Sequence, residues 1–358
     1  MPNLSDHPAL TPENLQPQAD RRAAVLILAN NEAQVITQAV QSVTEALKSG
    51  DAIFVIADNC SDETAVRARQ AGAQVYERQT GIPSSKGAAL TWFIRQAQAE
   101  LRNYDLLTIL DADNRIPRDF ISKAKVFYKE GVLQCLVQPV EYERSALSSL
   151  IALSEFHEQL TMDAIRTRLG WSVRLRGTGM LIPPKLLEAE AGEIETEVED
   201  FALTLLFAAH KVKIRRDNRL WVYDSKPHET TLASRQRARW YRGQWAASRR
   251  YGREIGSLVM RGPAGWAVLD ALFFKPRWLV DLVCLVFGTV LLFVCWPLAT
   301  LLLLRAVLDL TCLVWTLVTI PNRRLFIKAL VHIPGFIIMW LKGLLLAARG
   351  SDWLRGRD

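Results

Sequence analysis

Between residues 23 and 111 the chain repeats one unit: a short apolar run, an abrupt polar stop, and in most repeats a helix-length stretch. The runs are AAVLILA (23–29), DAIFVIA (51–57), AQVYE (73–77) and DLLTIL (105–110). Short apolar runs bounded in this way suit parallel strands covered on both faces. Their alternation with helices, expected over 33–48 and 86–101, predicts a doubly wound α/β sheet. Ligands of such sheets bind beyond the carboxyl ends of the strands. Three polar clusters fall there: Asn31-Glu32, Asp58, and the pair Asp111 and Asp113. Ser61 or Asp62 is placed to cap the helix after the second strand. No GxGxxG follows the first strand and no Walker pattern is present, so phosphates need another kind of holder.

The second constraint is apolar length. WLVDLVCLVFGTVLLFVCW (278–296) and LATLLLLRAVLDLTCLVWTLVTI (298–320) flank Pro297. Each is long enough to cross about 30 Å of hydrocarbon. Their joining loop is uncharged, whereas both outer flanks are basic: Arg249, Arg250, Arg253 and Arg261 before, Arg323, Arg324 and Lys328 after. By the positive-inside rule both flanks are expected in the cytoplasm, giving a multi-pass inner-membrane protein with a cytoplasmic catalytic domain. Arg305 and Asp309 stand at i and i+4 in the second run and are expected to pair with each other as a structural element. Residues 263–275 are expected to lie along the membrane surface. Residues 325–348, broken by Lys328, His332, Pro334 and Lys342, suit an interfacial or re-entrant segment or a third span. The organisation is then a flexible tail (1–20), a catalytic domain (21–255) and a membrane region (256–358).

The formal net charge is +7, and much of the excess lies in 235–261, directly before the apolar region. A solvated helix face would look the same, but the position favours a membrane-facing basic collar. No nucleic-acid module accompanies it. Cys60, Cys135, Cys284, Cys295 and Cys312 form no CxxC pair, so reduced thiols and no zinc site are expected. His157, His210 and His228 have no metal-ligand spacing and read as structural or surface residues.

Asp-x-Asp at a strand end can hold Mg²⁺ or Mn²⁺, which take one or two carboxylates and complete their shell with substrate phosphates. The same residues also suit a turn. Glu199-Asp200 opens an amphipathic stretch, where acids gain from the helix dipole. An aspartate there can equally act as general base. Further on, Gln236-Arg237-Ala238-Arg239-Trp240 offers an arginine fork for a diphosphate and an indole for a sugar face or the membrane interface.

Taken in order, Asp58, DAD, ED and QRARW resemble the D, DxD, (T)ED, QxxRW signature of membrane-associated family 2 glycosyltransferases, of the exopolysaccharide or cellulose-synthase-like branch. LANNEA (28–33), SSKGAAL (84–90) and RGTGMLI (176–182) resemble further segments of that family. Val198 stands where many relatives have threonine, and the usual proline near the first strand end is missing; neither departure removes a needed charge.

The resemblance implies a GT-A fold and an inverting, metal-dependent enzyme using a nucleotide-sugar, with UDP favoured and Mn²⁺ or Mg²⁺ as cofactor. It implies that Asn31, Glu32, Asp58 and Lys86 line the nucleotide site. Asp111 would touch ribose or metal-bound phosphate, and Asp113 would ligate the metal. Asp200 would be the base. Gly177, Thr178, Gly179 and Glu199 would shape the acceptor cleft, and Gln236, Arg239 and Trp240 would close over diphosphate and acceptor. Two clear spans favour addition to a lipid-linked or lipid acceptor, as in surface polysaccharide or glycolipid synthesis. A processive β-glycan synthase would need more spans, or an oligomer, to form a channel. A non-catalytic membrane scaffold is the reading that the intact motifs oppose.

Overall fold

The computed structural model describes residues 21–349 apart from 83, 193 and 195. The tail expected over 1–20 lies outside the described residues. In chain order the elements are β1 (Ala23–Ala29), α1 (Ile36–Thr44), β2 (Ala52–Asp58), α2 (Thr64–Gln70), β3 (Gln74–Arg78), α3 (Lys86–Gln96), α4 (Gln98–Leu101), β4 (Leu106–Asp111), α5 (Phe120–Phe127) and β5 (Val132–Val140). They continue with α6 (Ala146–His157), α7 (Asp163–Arg168), β6 (Met180–Ile182), α8 (Pro184–Glu190), α9 (Glu199–Ala209), β7 (Ile214–Ser225), α10 (Thr230–Arg250) and α11 (Gly252–Val259). The last are α12 (Pro263–Phe273), α13 (Arg277–Leu291), α14 (Trp296–Thr319), α15 (Arg323–Ala329) and α16 (Ile333–Ala348).

The chain divides into two compact units. Among the described residues, the first comprises 21–140, 172–225 and 242–257; the second comprises 141–171, 226–241 and 258–349. The first unit is built on a seven-stranded sheet in the order β3-β2-β1-β4-β6-β5-β7. Neighbours β3, β2, β1 and β4 run parallel, β6 is antiparallel to both β4 and β5, and β7 is parallel to β5. All seven residues of β1 are buried, which explains its unbroken apolar sequence. Each fully buried Val, Leu or Ile there contributes about 1.5–3 kcal/mol. One face packs Val25, Ile27 and Val55 with Ile36 and Val40 of α1 and Phe120 of α5. On the other, Phe54 meets Phe93 of α3, Tyr76 and Tyr104. The mixed, mostly parallel α/β fold expected from the sequence is present.

The second unit is helical. Tyr142 stacks on Phe326, and Phe156 meets both rings edge-on, while α16 packs on the first half of α10. Gly343 makes that approach possible: a Cβ there would meet Arg237 Cβ at 3.0 Å and the Ser234 carbonyl at 3.2 Å. Ser234 donates its hydroxyl to the Met339 carbonyl (3.1 Å). Residues 263–275, expected along the membrane surface, contain helix α12. Among the described residues, two helical stretches are long and apolar enough to cross a membrane, Trp296–Thr319 and Arg323–Ala348.

Two expectations are corrected here. The run 278–296 is not one helix: the 15-residue helix Arg277–Leu291 stops inside it, before a turn. Trp296-Pro297 then starts α14, with the proline in its first turn. Arg305 and Asp309 also do not pair with each other. Arg305 binds Asp281 of α13 (2.6 Å), while Asp309 binds Arg277 (2.5 Å) and His157 (3.1 Å). Each charge on α14 thus finds a partner on a neighbouring helix, which a single-helix reading does not show.

Candidate active site

The site in the first unit is tied together by one ammonium group. Lys86, the first residue of α3, donates to Asp111 Oδ1 (2.6 Å), to the Gly177 carbonyl (2.7 Å) and to Glu199 Oε1 (3.0 Å). An ammonium has three N–H donors, so all three have partners. Three segments far apart in sequence meet on this side chain: the end of β4, the loop leading into β6, and the start of α9. Burial works against the charge of Lys86, but Asp111 and Glu199 hold its pKa above the ordinary lysine value. Lys86 therefore stays charged and serves as an internal counter-ion.

Glu199 is 3 % exposed. Burial, only partly offset by Lys86 and reinforced by Asp200, raises its carboxyl well above the usual range. Asp200 is half-buried. Its Oδ1 accepts from the Phe201 backbone N–H (2.8 Å). Asp200 Oδ2 faces Gly177 instead. Gly177 has φ +77°, and a Cβ on it would point at Lys86 Nζ (3.6 Å), Glu199 Oε1 (3.7 Å) and Asp200 Oδ2 (3.8 Å). Glycine keeps the space in front of those three groups open. Gly179, also left-handed (φ +61°), closes against Val222 and Cys135.

Asp111 ends β4, with its side chain partly exposed. Its backbone N–H reaches Asn114 Oδ1 (3.2 Å) and Thr178 Oγ1 (3.3 Å). Asn114 is buried, and its Nδ2 donates to Asp224 Oδ1 (2.9 Å). The Asp-x-Asp turn is therefore fastened to strand β7. Thr178, expected to shape the acceptor cleft, braces this turn by donating to Asn114. Asp111 and half-buried Asp113 offer hard oxygen donors one residue apart. Among the described residues no cluster of three or more His, Cys, Asp or Glu could hold a metal. The donor set fits an ion of the Mg²⁺ or Mn²⁺ type whose remaining positions go to phosphate and water.

At the neighbouring strand ends, Asp58 is buried and accepts from Arg78 (2.7 Å) and from Asn59 Nδ2 (3.3 Å). Arg78 stands opposite Asp58 in the β2–β3 register and also donates to Ser84 (2.5 Å). Asn31, in the left-handed region (φ 54°), uses its side-chain oxygen to accept from the Ser61 N–H (2.8 Å). The Glu32 backbone N–H donates to Thr64 Oγ1 (2.8 Å). Asp62, one of the two capping candidates, accepts from the Thr64 N–H (3.0 Å). The sequence pattern singles out neither Arg78 nor Asn114. The one hint of Asn114 is its place directly after the acid pair.

Gly87, after Lys86, is closely enclosed by backbone. A Cβ there would lie 1.9 Å from the Ile194 carbonyl oxygen and 2.7 Å from that of Thr196. Backbone cannot yield as a side chain would. Gly87→Ala is expected to destabilise the protein by about 3 kcal/mol, the upper end for overpacking, seen as a lowered midpoint in thermal unfolding.

Gln236, Arg239 and Trp240 belong to the second unit, on α10. Arg239 and Trp240 are exposed and Gln236 is half-buried. Arg237 between them is buried, with its guanidinium over the rings of Trp340 (4.7 Å) and Trp240 (5.5 Å). Burial pushes its pKa down to about 10.

The model of the glycosyltransferase-like family 2 matches residues 20–243. The chain belongs to that family. It is a glycosyltransferase, and its sheet is of the GT-A kind. No curated protein sequence matches it. Among solved structures, a Pyrobaculum calidifontis mannosyltransferase in complex with GDP-Man and Mn²⁺ is 17 % identical, with 87 % of this chain and 86 % of that chain covered and a TM-score of 0.46. A Mycobacterium tuberculosis glucosyl-3-phosphoglycerate synthase in complex with Mn²⁺, UDP-Glc and phosphoglyceric acid is 20 % identical, covering 69 % and 86 %, with a TM-score of 0.43.

Proposed function

We propose that this glycosyltransferase is an inverting, divalent-cation-dependent enzyme. It moves a sugar from a nucleotide-sugar, with UDP as the favoured nucleotide, to a lipid-linked or lipid acceptor at the membrane. The observation that carries the reading is the meeting of Asp111, Glu199, Gly177 and Lys86, with the Asp200 carboxylate beside them.

Asp58 accepts from an N–H of the base, flanked by Arg78. Asp111 and Asp113 hold the cation, which would offset the negative charge growing on the departing diphosphate. Arg239 supplies a second positive group for that charge, and Trp240 an apolar face for a sugar ring. Asp200 takes the acceptor proton through the oxygen facing Gly177 as the acceptor attacks the anomeric carbon from the far side. A single displacement needs one base, in contrast to the paired carboxylates of retaining glycosidases. The α-linked donor thus yields a β-linked product. Glu199, paired with Lys86, shapes the acceptor side rather than taking the proton.

The long apolar helices support placement at the membrane, where a lipid acceptor would be found. Full-length protein in detergent, assayed with a panel of nucleotide-sugars and polyprenyl-phosphate or glycolipid acceptors, tests the reading. Transfer with at least one pair is expected, and donor binding without transfer to any of these acceptors would overturn the lipid-acceptor reading. Chelation with EDTA is expected to reduce transfer to background, with recovery on adding Mn²⁺ or Mg²⁺, monitored by nucleotide release.

A further inference from the structure

Helices α13 and α14 form an antiparallel hairpin whose rungs can be followed pair by pair. Arg277 binds Asp309 and Asp281 binds Arg305. Nearer the tip, Gly288 packs so tightly that a Cβ would meet Leu303 Cγ at 2.8 Å. The tip is the turn 292–295. Between Leu282 and Leu304 the sequence carries no charged residue. The Thr289 and Thr300 hydroxyls in it bond back to carbonyls of their own helices. Phe293, Val294 and Trp296 are 89 %, 79 % and 71 % exposed.

Below this tip lies a layer of charge. Asp270 of α12 receives Arg166, Arg277 and Arg305; Arg166 also holds Asp163 and Glu158; Lys275 holds Glu158; His157 meets Asp309. Arg168, two residues past Arg166, is exposed. From Leu282 to Leu291 helix α13 rises about 15 Å, half of the roughly 30 Å hydrocarbon core. If the hairpin crossed the bilayer, the whole ion-paired layer and Arg168 would sit near mid-depth, where ionisable side chains are costly. If it enters one leaflet, the same layer lies among the headgroups.

Resting on the membrane placement above, we propose that residues 277–309 form a re-entrant hairpin that enters a single leaflet and leaves by the face it entered. The occupant of its exposed apolar surface is lipid acyl chain. Leu308, Leu310, Val314, Trp315 and Val318 continue the exposed apolar strip along α14 past the ion-paired layer. Arg323, Arg324, Lys328 and Lys342 are exposed along α15 and α16, a spacing that lays positive charge against anionic headgroups. Lys342 stands within α16, which suits a helix lying along the surface.

Cys295, exposed in the turn, reports the topology in the native full-length chain. Right-side-out and inside-out vesicles are treated with a membrane-impermeant maleimide, and modified cysteines are mapped by peptide mass spectrometry. In detergent Cys295 is expected to react; in vesicles it is expected to react from neither face. A bimane label on it in proteoliposomes is expected to be quenched most by spin labels deep in the acyl chains. Reaction from the face opposite to that where protease digests the catalytic unit means two crossings and overturns the proposal. Reaction from the same face places the tip in water and overturns it too. Protection without quenching, with Cys295–Cys295 cross-linking, assigns the surface to a second copy instead and overturns the lipid assignment. If the protein does not sediment with membranes at all, the membrane placement itself fails, a result separate from the others.

Discussion

Asp200→Asn is expected to lower kcat by about 10²–10⁴-fold, the range a positioned general base contributes. Nucleotide affinity and thermal stability are expected to stay at the parent level. The structural reason is that the substituted amide would retain a side-chain oxygen to accept from the Phe201 N–H, so the start of α9 keeps its local bond. The carboxylate removed is the half-buried one facing open space at Gly177. Stopped assays of transfer, with titration of the nucleotide diphosphate in parallel, check this. A loss of nucleotide binding equal to the loss of rate would move Asp200 from base to binding residue.

Lys86→Met is expected to be worse in a different way. It leaves Glu199 buried without its cation and the Gly177 carbonyl without its donor. Removing one partner of a buried ion pair costs about 3–5 kcal/mol, so both the unfolding midpoint and transfer should fall. Adding Glu199→Gln to Lys86→Met removes the stranded acid and is expected to recover much of the stability, giving a coupling energy in a double-mutant cycle. Lys86→Arg is expected to recover less than its charge suggests, because a planar fork does not match three partners around a tetrahedral ammonium. Additive losses in the cycle would mean that Lys86 and Glu199 do not act on each other. Thermal melts and transfer rates on the parent, the two single variants and the double variant provide the measurement.

The sheet is legible in the sequence because a buried parallel strand has to be apolar throughout, as β1 is. The strand-end acids are legible for the same reason: Asp58 and Asp111 terminate β2 and β4. Pairing between segments is what sequence pattern hides. The Asp58–Arg78 bond depends on the β2–β3 register, which local pattern does not set. The resemblance implies that Lys86 lies near the nucleotide; that its donors go to protein oxygens on three other segments is not visible in its sequence neighbours. Thr178 braces the acid turn through Asn114 for the same kind of reason. In the apolar region, length alone conceals that α13 stops at Leu291, and one-helix spacing conceals that Arg305 and Asp309 bind other helices.

Helix α10 carries Gln236, Arg239 and Trp240, and its first half is seated on α16 through Gly343, the Ser234–Met339 bond and the Arg237–Trp340 stack. A shortened protein lacking α16, made to dispense with detergent, would strip that seat away and uncover the Arg237 guanidinium. Inactivity of such a truncation would then report a loosened QxxRW helix, and would say nothing about whether the catalytic chemistry requires lipid.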